Sequence, residues 1–262
     1  MDTCIFHSVN SGLFFWQAGT GLLVDGIHDG REQGFSPMPD FLQRQLDART
    51  GLFAHTSGVL FTHLHRDHFQ REGLLHLMRS PVSPAVYGPE LPEHRARIQP
   101  VSANTRRIWM GAGEILAQTT LHDGTVFRND PHQSFLITLG RERFLTAGDG
   151  ALTGRDAAEF LRAEGGPVDG AFVNLYQLAS EDGQEFLRTL APTRIFLIHL
   201  PFREDDAYHN RSLARQVARS LPPDLPPAEI LPHMAWIDGR AAQWEAREKG
   251  GAEDDLSGIA QS

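Results

Sequence analysis

Three histidines and an aspartate lie within the short segment between positions 63 and 68. They are His63, His65, Asp67 and His68, and they follow the apolar residues Val-Leu-Phe. Neutral imidazole nitrogens and carboxylate oxygens are ligands that suit Zn, Mn or Fe. A lone histidine is more often an ordinary surface or core residue, but this spacing predicts a metal site.

The elements around this cluster must position its side chains. Residues 57–62 are mostly apolar and predict a buried strand that runs into His63. His63 and His65 are two residues apart, so an extended chain directs both imidazoles to the same side. Apolar residues at helical spacing predict a helix over residues 67–78, whose start would turn the last two members of the cluster the other way. The pattern therefore predicts two neighbouring three-ligand half-sites.

The rest of the chain predicts an α+β fold. Short apolar segments separated by turn residues predict strands in the first third and between residues 85 and 146, and strands alternate with helices in the last third. This order favours two sheets packed face to face with helices outside. We expect a single domain over residues 1–247 and a flexible tail over residues 248–262, which is rich in Gly, Asp and Ser.

Composition argues against several classes of protein. The formal net charge of −9 argues against a nucleic-acid partner, because phosphate binding favours a basic surface. With Cys4 as the single cysteine, an intramolecular disulfide is impossible and any metal site must use nitrogen and oxygen ligands. The sequence has no 18-residue apolar run and no secretory signal pattern, so we expect a cytoplasmic protein with no membrane span. The oligomeric state stays open.

The string His-x-His-x-Asp-His after a buried strand resembles the hallmark of the metallo-β-lactamase superfamily. Downstream segments follow in the family's order, so the resemblance covers roughly residues 4–237. It implies a four-layer αββα sandwich, with the site along one edge of the sheets.

The resemblance also implies further site residues. The family's bridging aspartate corresponds to Asp149, which ends the segment Phe-Leu-Thr-Ala-Gly-Asp, and its last histidine corresponds to His199. Two residues compete for the third histidine. The segment after His132 is similar to one that follows a non-ligand histidine in the family's lactone hydrolases, so His122 is preferred and His132 would orient a ligand. Asp25 resembles an early strand-end aspartate that supports the site.

These residues imply two divalent ions, most simply Zn, with Mn or Fe as alternatives. One would lie on His63, His65 and His122, the other on Asp67, His68 and His199, and Asp149 would bridge them. Water between two such ions loses a proton near neutral pH, because zinc lowers its pKa to about 7. The expected activity is hydrolysis of a small ester, lactone, amide or phosphoester, with Asp67 and Asp149 as the catalytic carboxylates.

Three other functions stay open at this point. A nuclease of the ribonuclease Z kind would require RNA binding, which the net charge disfavours. An iron-dependent redox enzyme similar to a persulfide dioxygenase would use the same ligand types. A metal or ligand sensor would bind metal without turnover. The substrate cannot be read from the sequence, because loops shape the pocket in this superfamily.

Overall fold

The computed structural model describes residues 2–31, 34–79 and 82–238, so the predicted tail lies outside the described residues. The described α-helices are α1 (Asp40–Ala48), α2 (Arg71–Met78), α3 (Gly154–Ala163), α4 (Leu175–Ala179), α5 (Glu181–Leu190) and α6 (Asn210–Arg219), and a short 3-10 helix spans Gly51–Ala54. The described strands are β1 (Cys4–His7), β2 (Leu13–Gln17), β3 (Thr20–Val24), β4 (Thr56–Leu60), β5 (Ala85–Tyr87), β6 (Arg97–Pro100), β7 (Thr105–Met110), β8 (Gly113–Thr120), β9 (His132–Leu139), β10 (Glu142–Thr146), β11 (Gly170–Val173), β12 (Arg194–Leu197), β13 (Ala228–Ile230) and β14 (Ala235–Asp238). Among these helices, none is long and apolar enough to cross a membrane.

The strands form two mixed sheets. The first has the order β14-β1-β2-β3-β4-β5, and the second has the order β13-β12-β11-β10-β9-β8-β7-β6. In the first sheet β3, β4 and β5 run parallel to one another. In the second, β10 to β13 run parallel, whereas β6 to β10 pair antiparallel.

Alternating side chains divide the apolar residues among three cores. In β3, Leu22 and Val24 face the second sheet, whereas Leu23 packs beneath α1 and α2. In β12, Phe196 enters the core between the sheets, and its neighbour Leu197 faces the helices that cover the second sheet. Each such burial contributes about 1.5–3 kcal/mol. The four layers confirm the predicted αββα sandwich.

The predicted helix over residues 67–78 begins later, at Arg71. The reason is tertiary: the Gln70 N–H donates to the Ile27 carbonyl at 2.7 Å, and the Arg66 carbonyl accepts from the Asp29 N–H at 2.6 Å. These bonds hold residues 66–70 in a loop against the first sheet. The expectation that the end of the histidine cluster starts a helix was therefore wrong.

Other local predictions differ in outcome. The turn at Gly140 joins β9 and β10 as expected, with Leu139 opposite Glu142 and a φ of 58° at the glycine. The sequence pattern missed β6, whose polar residues leave it largely exposed at the sheet edge, and the short helix α4.

Candidate metal centre

The loops that carry the candidate residues leave one edge of the two sheets. Asp25 follows β3 and His63 follows β4, and these two strands are parallel. In the second sheet His122, Asp149 and His199 follow β8, β10 and β12, which run in the same direction because β9 is antiparallel to both β8 and β10. The carboxyl ends of these strands meet at this edge, so residues distant in sequence become neighbours.

The predicted ligands converge there in two groups. Within each group, one potential ligand atom from every residue lies within 4.8 Å of the others. The first cluster is His63, His65 and His122. The second cluster is Asp67, His68, Asp149 and His199.

Distances in the second cluster fit a shared metal ion. Nε2 of His68 lies 3.1 Å from Nε2 of His199, and the latter lies 3.1 Å from Oδ2 of Asp67. Oδ2 of Asp67 is 3.6 Å from Nε2 of His68. Ligand atoms bound tetrahedrally at about 2.0–2.2 Å are roughly 3.3–3.6 Å apart, and these spacings lie within that range or about 0.2 Å below it.

The first cluster offers unused lone pairs. Nε2 of His63 and Nε2 of His122 are buried and have no hydrogen-bond partner among the described residues. Their Nδ1 atoms are engaged elsewhere: His63 Nδ1 lies 3.1 Å from the Thr62 hydroxyl, and His122 Nδ1 donates to the Asp123 carbonyl at 2.7 Å. Buried polar atoms are rarely left unpaired, and a metal ion would satisfy both.

Asp149 is a member of the second cluster and also faces the first. Its Oδ2 is 3.5 Å from Nε2 of His68, 3.9 Å from Nε2 of His63 and 4.0 Å from Nε2 of His122. A single carboxylate oxygen therefore faces imidazoles of both clusters, which is the placement that a bridging ligand requires.

The backbone conformation and the close neighbours of Gly148 require a glycine before this aspartate. Its φ is 55°, and a Cβ atom there would lie 2.6 Å from Cβ of Thr62 and 2.8 Å from Nε2 of His132. Any larger residue would clash on two sides and would adopt a backbone conformation that L-residues disfavour.

His132 does not join the first cluster, because both of its ring nitrogens are engaged. Nε2 accepts the Asp149 N–H at 3.0 Å, and Nδ1 lies 2.7 Å from the Thr120 hydroxyl. Burial lowers the pKa of His132 to about 3, so the ring is neutral and can accept that N–H. The geometry favours His122 as the third histidine of the first cluster, with His132 holding the loop of Asp149.

Asp25 is fully buried and organises the segment that contains the motif. Its Oδ1 accepts the Thr62 N–H at 2.8 Å, and its Oδ2 accepts the Thr62 hydroxyl at 2.7 Å and the Nδ1–H of His68 at 2.9 Å. The last bond fixes the tautomer of His68 and leaves its Nε2 directed into the second cluster.

The electrostatics of the two clusters are those of a cation site. Burial lowers the pKa of His68, but Asp149, Asp67 and Asp25 outweigh it and raise this pKa well above 6.5. Burial raises the pKa of Asp149, yet His199 and His68 hold it well below 3.8. Burial keeps the pKa of His63 well below 6.5, so this imidazole is a neutral ligand at pH 7.

Two asparagines that support the site were not predicted. Buried Asn174 caps α4 and donates from Nδ2 to Oδ1 of Asp149 at 3.2 Å. The carbonyl of buried Asn10 accepts the His199 N–H at 2.8 Å, and its side-chain amide pairs with the backbone of Ser36 at 2.8 and 3.2 Å. The sequence signal for Asn174 was its place just after an apolar segment, where asparagine is a favoured helix cap. Asn10 had no such signal.

Aromatic rings flank the histidines of both clusters. The Phe35 ring lies 4.3 Å from the His199 ring in the second cluster. In the first, the Phe127 ring lies 5.0 Å from His65 and 5.6 Å from His122. The apolar rings restrict the rotation of these imidazoles.

Comparisons with known proteins extend these observations. No family model matches the sequence, and no curated protein does. A solved structure described as a possible metal-dependent hydrolase from Veillonella parvula is similar with a TM-score of 0.61 and 14% identity, covering 91% of this chain and 100% of that one. An isothiocyanate hydrolase from Delia radicum gut bacteria gives a TM-score of 0.58 and 12% identity over 89% of this chain and 98% of that one.

CmlA, a diiron β-hydroxylase from Streptomyces venezuelae, is also similar, with a TM-score of 0.60 and 15% identity over 90% of this chain. The similarity covers 54% of CmlA, so the present chain spans about half of its length. At these identities the likeness to all three proteins shows a shared fold.

Proposed function

The chain has the metallo-β-lactamase fold, and we propose that its two donor clusters form the active site of a metal-dependent hydrolase with two divalent ions. The substrate would be a small ester, lactone, amide or phosphoester. One observation carries this proposal: seven histidine and aspartate side chains from separate loops form two clusters, and Oδ2 of Asp149 faces both.

Two ions at this edge would supply Lewis acidity and a water nucleophile at neutral pH. The chain's own residues hold the geometry. Asp25 and the Asp123 carbonyl fix the tautomers of His68 and His122, so that both Nε2 atoms face the site. Supporting partners of this kind typically contribute 10- to 100-fold to metal affinity.

Asp67 is the carboxylate best placed to orient the attacking water or to accept its proton. Its Oδ2 lies 3.1 Å from Nε2 of His199 and 3.6 Å from Nε2 of His68, and the residue is 4% exposed. His68 and His199 lower its pKa against the effect of burial, so it is ionised at neutral pH. An ionised, nearly buried carboxylate beside the ions would act as the general base.

The test is turnover by purified protein loaded with Zn²⁺ or Mn²⁺. The substrates would be p-nitrophenyl esters, simple lactones and bis(p-nitrophenyl) phosphate. We expect activity on at least one class, lost on chelation and restored by metal. His63→Ala should remove activity and lower the metal content, because Nε2 of His63 is a buried donor with no other partner among the described residues.

His76→Ala is the matched control. His76 lies on α2, outside both clusters, and its Nε2 contacts the Asp47 carbonyl near the surface. It should bind metal and turn over substrate as the unmodified protein does. A fully metallated protein that is inactive on the whole panel would contradict the proposed function.

A second candidate is iron-dependent redox chemistry, and the similarity to CmlA favours it. That neighbour is described as a diiron enzyme on the same fold, and the donor atoms of both clusters here suit iron as well as zinc. Elemental analysis of protein purified from unsupplemented cells separates the two: iron with oxygen consumption supports this candidate, and zinc or manganese supports hydrolysis.

A further inference from the structure

His65 differs from the other histidines of the first cluster in the ring nitrogen that is engaged. His63 and His122 contact supporting groups through Nδ1 and leave Nε2 unpaired. In His65 it is Nε2 that is engaged, at 2.8 Å from Oδ2 of Asp130. With Nε2–H donating to the carboxylate, the lone pair of a neutral His65 lies on Nδ1.

Asp130 belongs to the segment between β8 and β9, residues 121–131. This segment begins beside the first cluster with His122 and ends where His132 contacts the loop of Asp149. Its own turn is closed by the Asp130 N–H, which donates to the Phe127 carbonyl at 2.8 Å. The Asp130 carboxylate is thus presented by a short closed turn whose phenylalanine packs on the His65 ring at 5.0 Å.

Asp130 is not itself a member of either donor cluster. Its side chain is 45% exposed, and that of His65 is 22% exposed, so the pair lies at the rim of the site. A partly exposed contact of this kind contributes little to stability by itself. The same contact has a larger effect when it fixes the orientation of a metal ligand, because it removes ring rotation and the wrong tautomer.

We propose that Asp130 is a positioning residue for the first metal site, holding His65 so that Nδ1 is its ligand atom. This inference rests on the proposed function, since it assumes that an ion binds the first cluster. It makes part of the metal affinity of that site depend on a carboxylate in a surface loop. The second site instead depends on Asp25, which is fully buried.

The consequence is an asymmetric pair of sites. Loss of the Asp130 carboxylate should weaken metal binding at the first cluster and leave metal binding at the second cluster unchanged. The variants are Asp130→Ala, which removes the acceptor, and Asp130→Asn, which keeps an amide oxygen that can accept the same N–H. Asp224→Ala is the control, because Asp224 is an exposed aspartate paired with Arg188 outside both clusters.

The measurement is Zn²⁺ per chain at equilibrium with buffered free Zn²⁺, with Co²⁺ absorption spectra as a second readout. For Asp130→Ala we expect one of two dissociation constants to rise by about 10- to 100-fold and the other to stay unchanged. Asp130→Asn should lie within a few-fold of the unmodified protein, and Asp224→Ala should equal it. The Co²⁺ spectrum should change in Asp130→Ala even when both sites are saturated, which a purely structural role would not produce.

Two results would overturn the inference, and they differ in what else they affect. If Asp130→Ala binds both ions as tightly as the unmodified protein, Asp130 has no positioning role, and the proposed function stands. If the unmodified protein binds fewer than two ions, the proposed function fails as well. Thermal unfolding of the metal-free variants shows whether a change in affinity reflects lost folding.

Discussion

Asp25 follows β3, and its carboxylate joins this strand to the motif loop, residues 61–70, through Thr62 and His68. Replacing Asp25 with glycine removes this carboxylate. Three buried donors would lose their acceptor: the N–H and hydroxyl of Thr62 and the Nδ1–H of His68, at 2.7–2.9 Å. Glycine is preferred to alanine because the φ of Asp25 is 47°. Alanine would add about 1–2 kcal/mol of backbone strain there, which would obscure the hydrogen-bond contribution.

The expected loss of stability follows from the number and charge of these bonds. A hydrogen bond to a charged group contributes about 1.5–3 kcal/mol, and three of them contribute about 4.5–9 kcal/mol if they add. Because all three share one carboxylate, the lower end is the better expectation. The total stability of a typical domain is about 5–15 kcal/mol, so metal-free Asp25→Gly should lose at least about a third of its stability. Asp25→Asn keeps one acceptor oxygen and tolerates the positive φ, so it should lose about 2–3 kcal/mol.

The assay is urea unfolding in the presence of a chelator, because a bound ion would add stabilisation of its own. The comparison uses both Asp25 variants and Asp47→Ala as the control. Asp47 is an exposed aspartate whose carboxylate accepts a hydrogen bond from Gln43 on the same helix. The control should stay within about 0.5 kcal/mol of the unmodified protein. If Asp25→Gly unfolds within about 1 kcal/mol of the unmodified protein with the same m-value, the assigned hydrogen bonds do not support the loop.

Two further predictions concern proton release and the loop of His199. Because carboxylates raise the pKa of His68 well above 6.5 despite burial, its imidazole holds a proton at pH 7 in metal-free protein. Calorimetry in buffers of different ionisation enthalpy should therefore show about one proton released from this group on Zn²⁺ binding. The number of protons released should fall as the pH rises through the raised pKa of His68. No proton release at pH 7 would contradict this prediction. Asn10→Gly tolerates the φ of 53° but loses both hydrogen bonds to the Ser36 backbone. The metal-free variant should therefore lose about 1–3 kcal/mol of unfolding free energy. An unchanged urea midpoint would show that Asn10 does not support the loop.

The sequence predicted those parts of the fold and site that depend on local patterns. Short apolar segments predicted the strands β3 and β12, and the structure divides their side chains between cores on the two faces of each sheet. Asp149 and His199 could be assigned through the family resemblance, because each ends an apolar strand and strand ends meet at one edge.

The parts that were missed depend on contacts between distant segments. Asp130 is 65 residues from His65, and Asn10 is 189 residues from His199 by their positions in the sequence. No periodicity marks such pairs, and a polar residue in a loop has the same local signature whether or not it supports a site. The late start of α2 has the same origin, because backbone bonds to Ile27 and Asp29 outweigh the helical spacing of the residues after the motif.

The positions of the supporting groups indicate how the two ions would be exchanged. The second cluster is supported from the interior, by Asp25 at 0% exposure, and its residues are all buried. The first cluster includes His65, which is partly exposed and contacts Asp130 and Phe127 from the surface segment. We therefore expect an ion on the first cluster to leave when this segment moves, and an ion on the second to leave only when the motif loop opens. Chelation of the doubly loaded protein should then proceed in two phases, with the faster phase accelerated in Asp130→Ala and the slower phase unchanged.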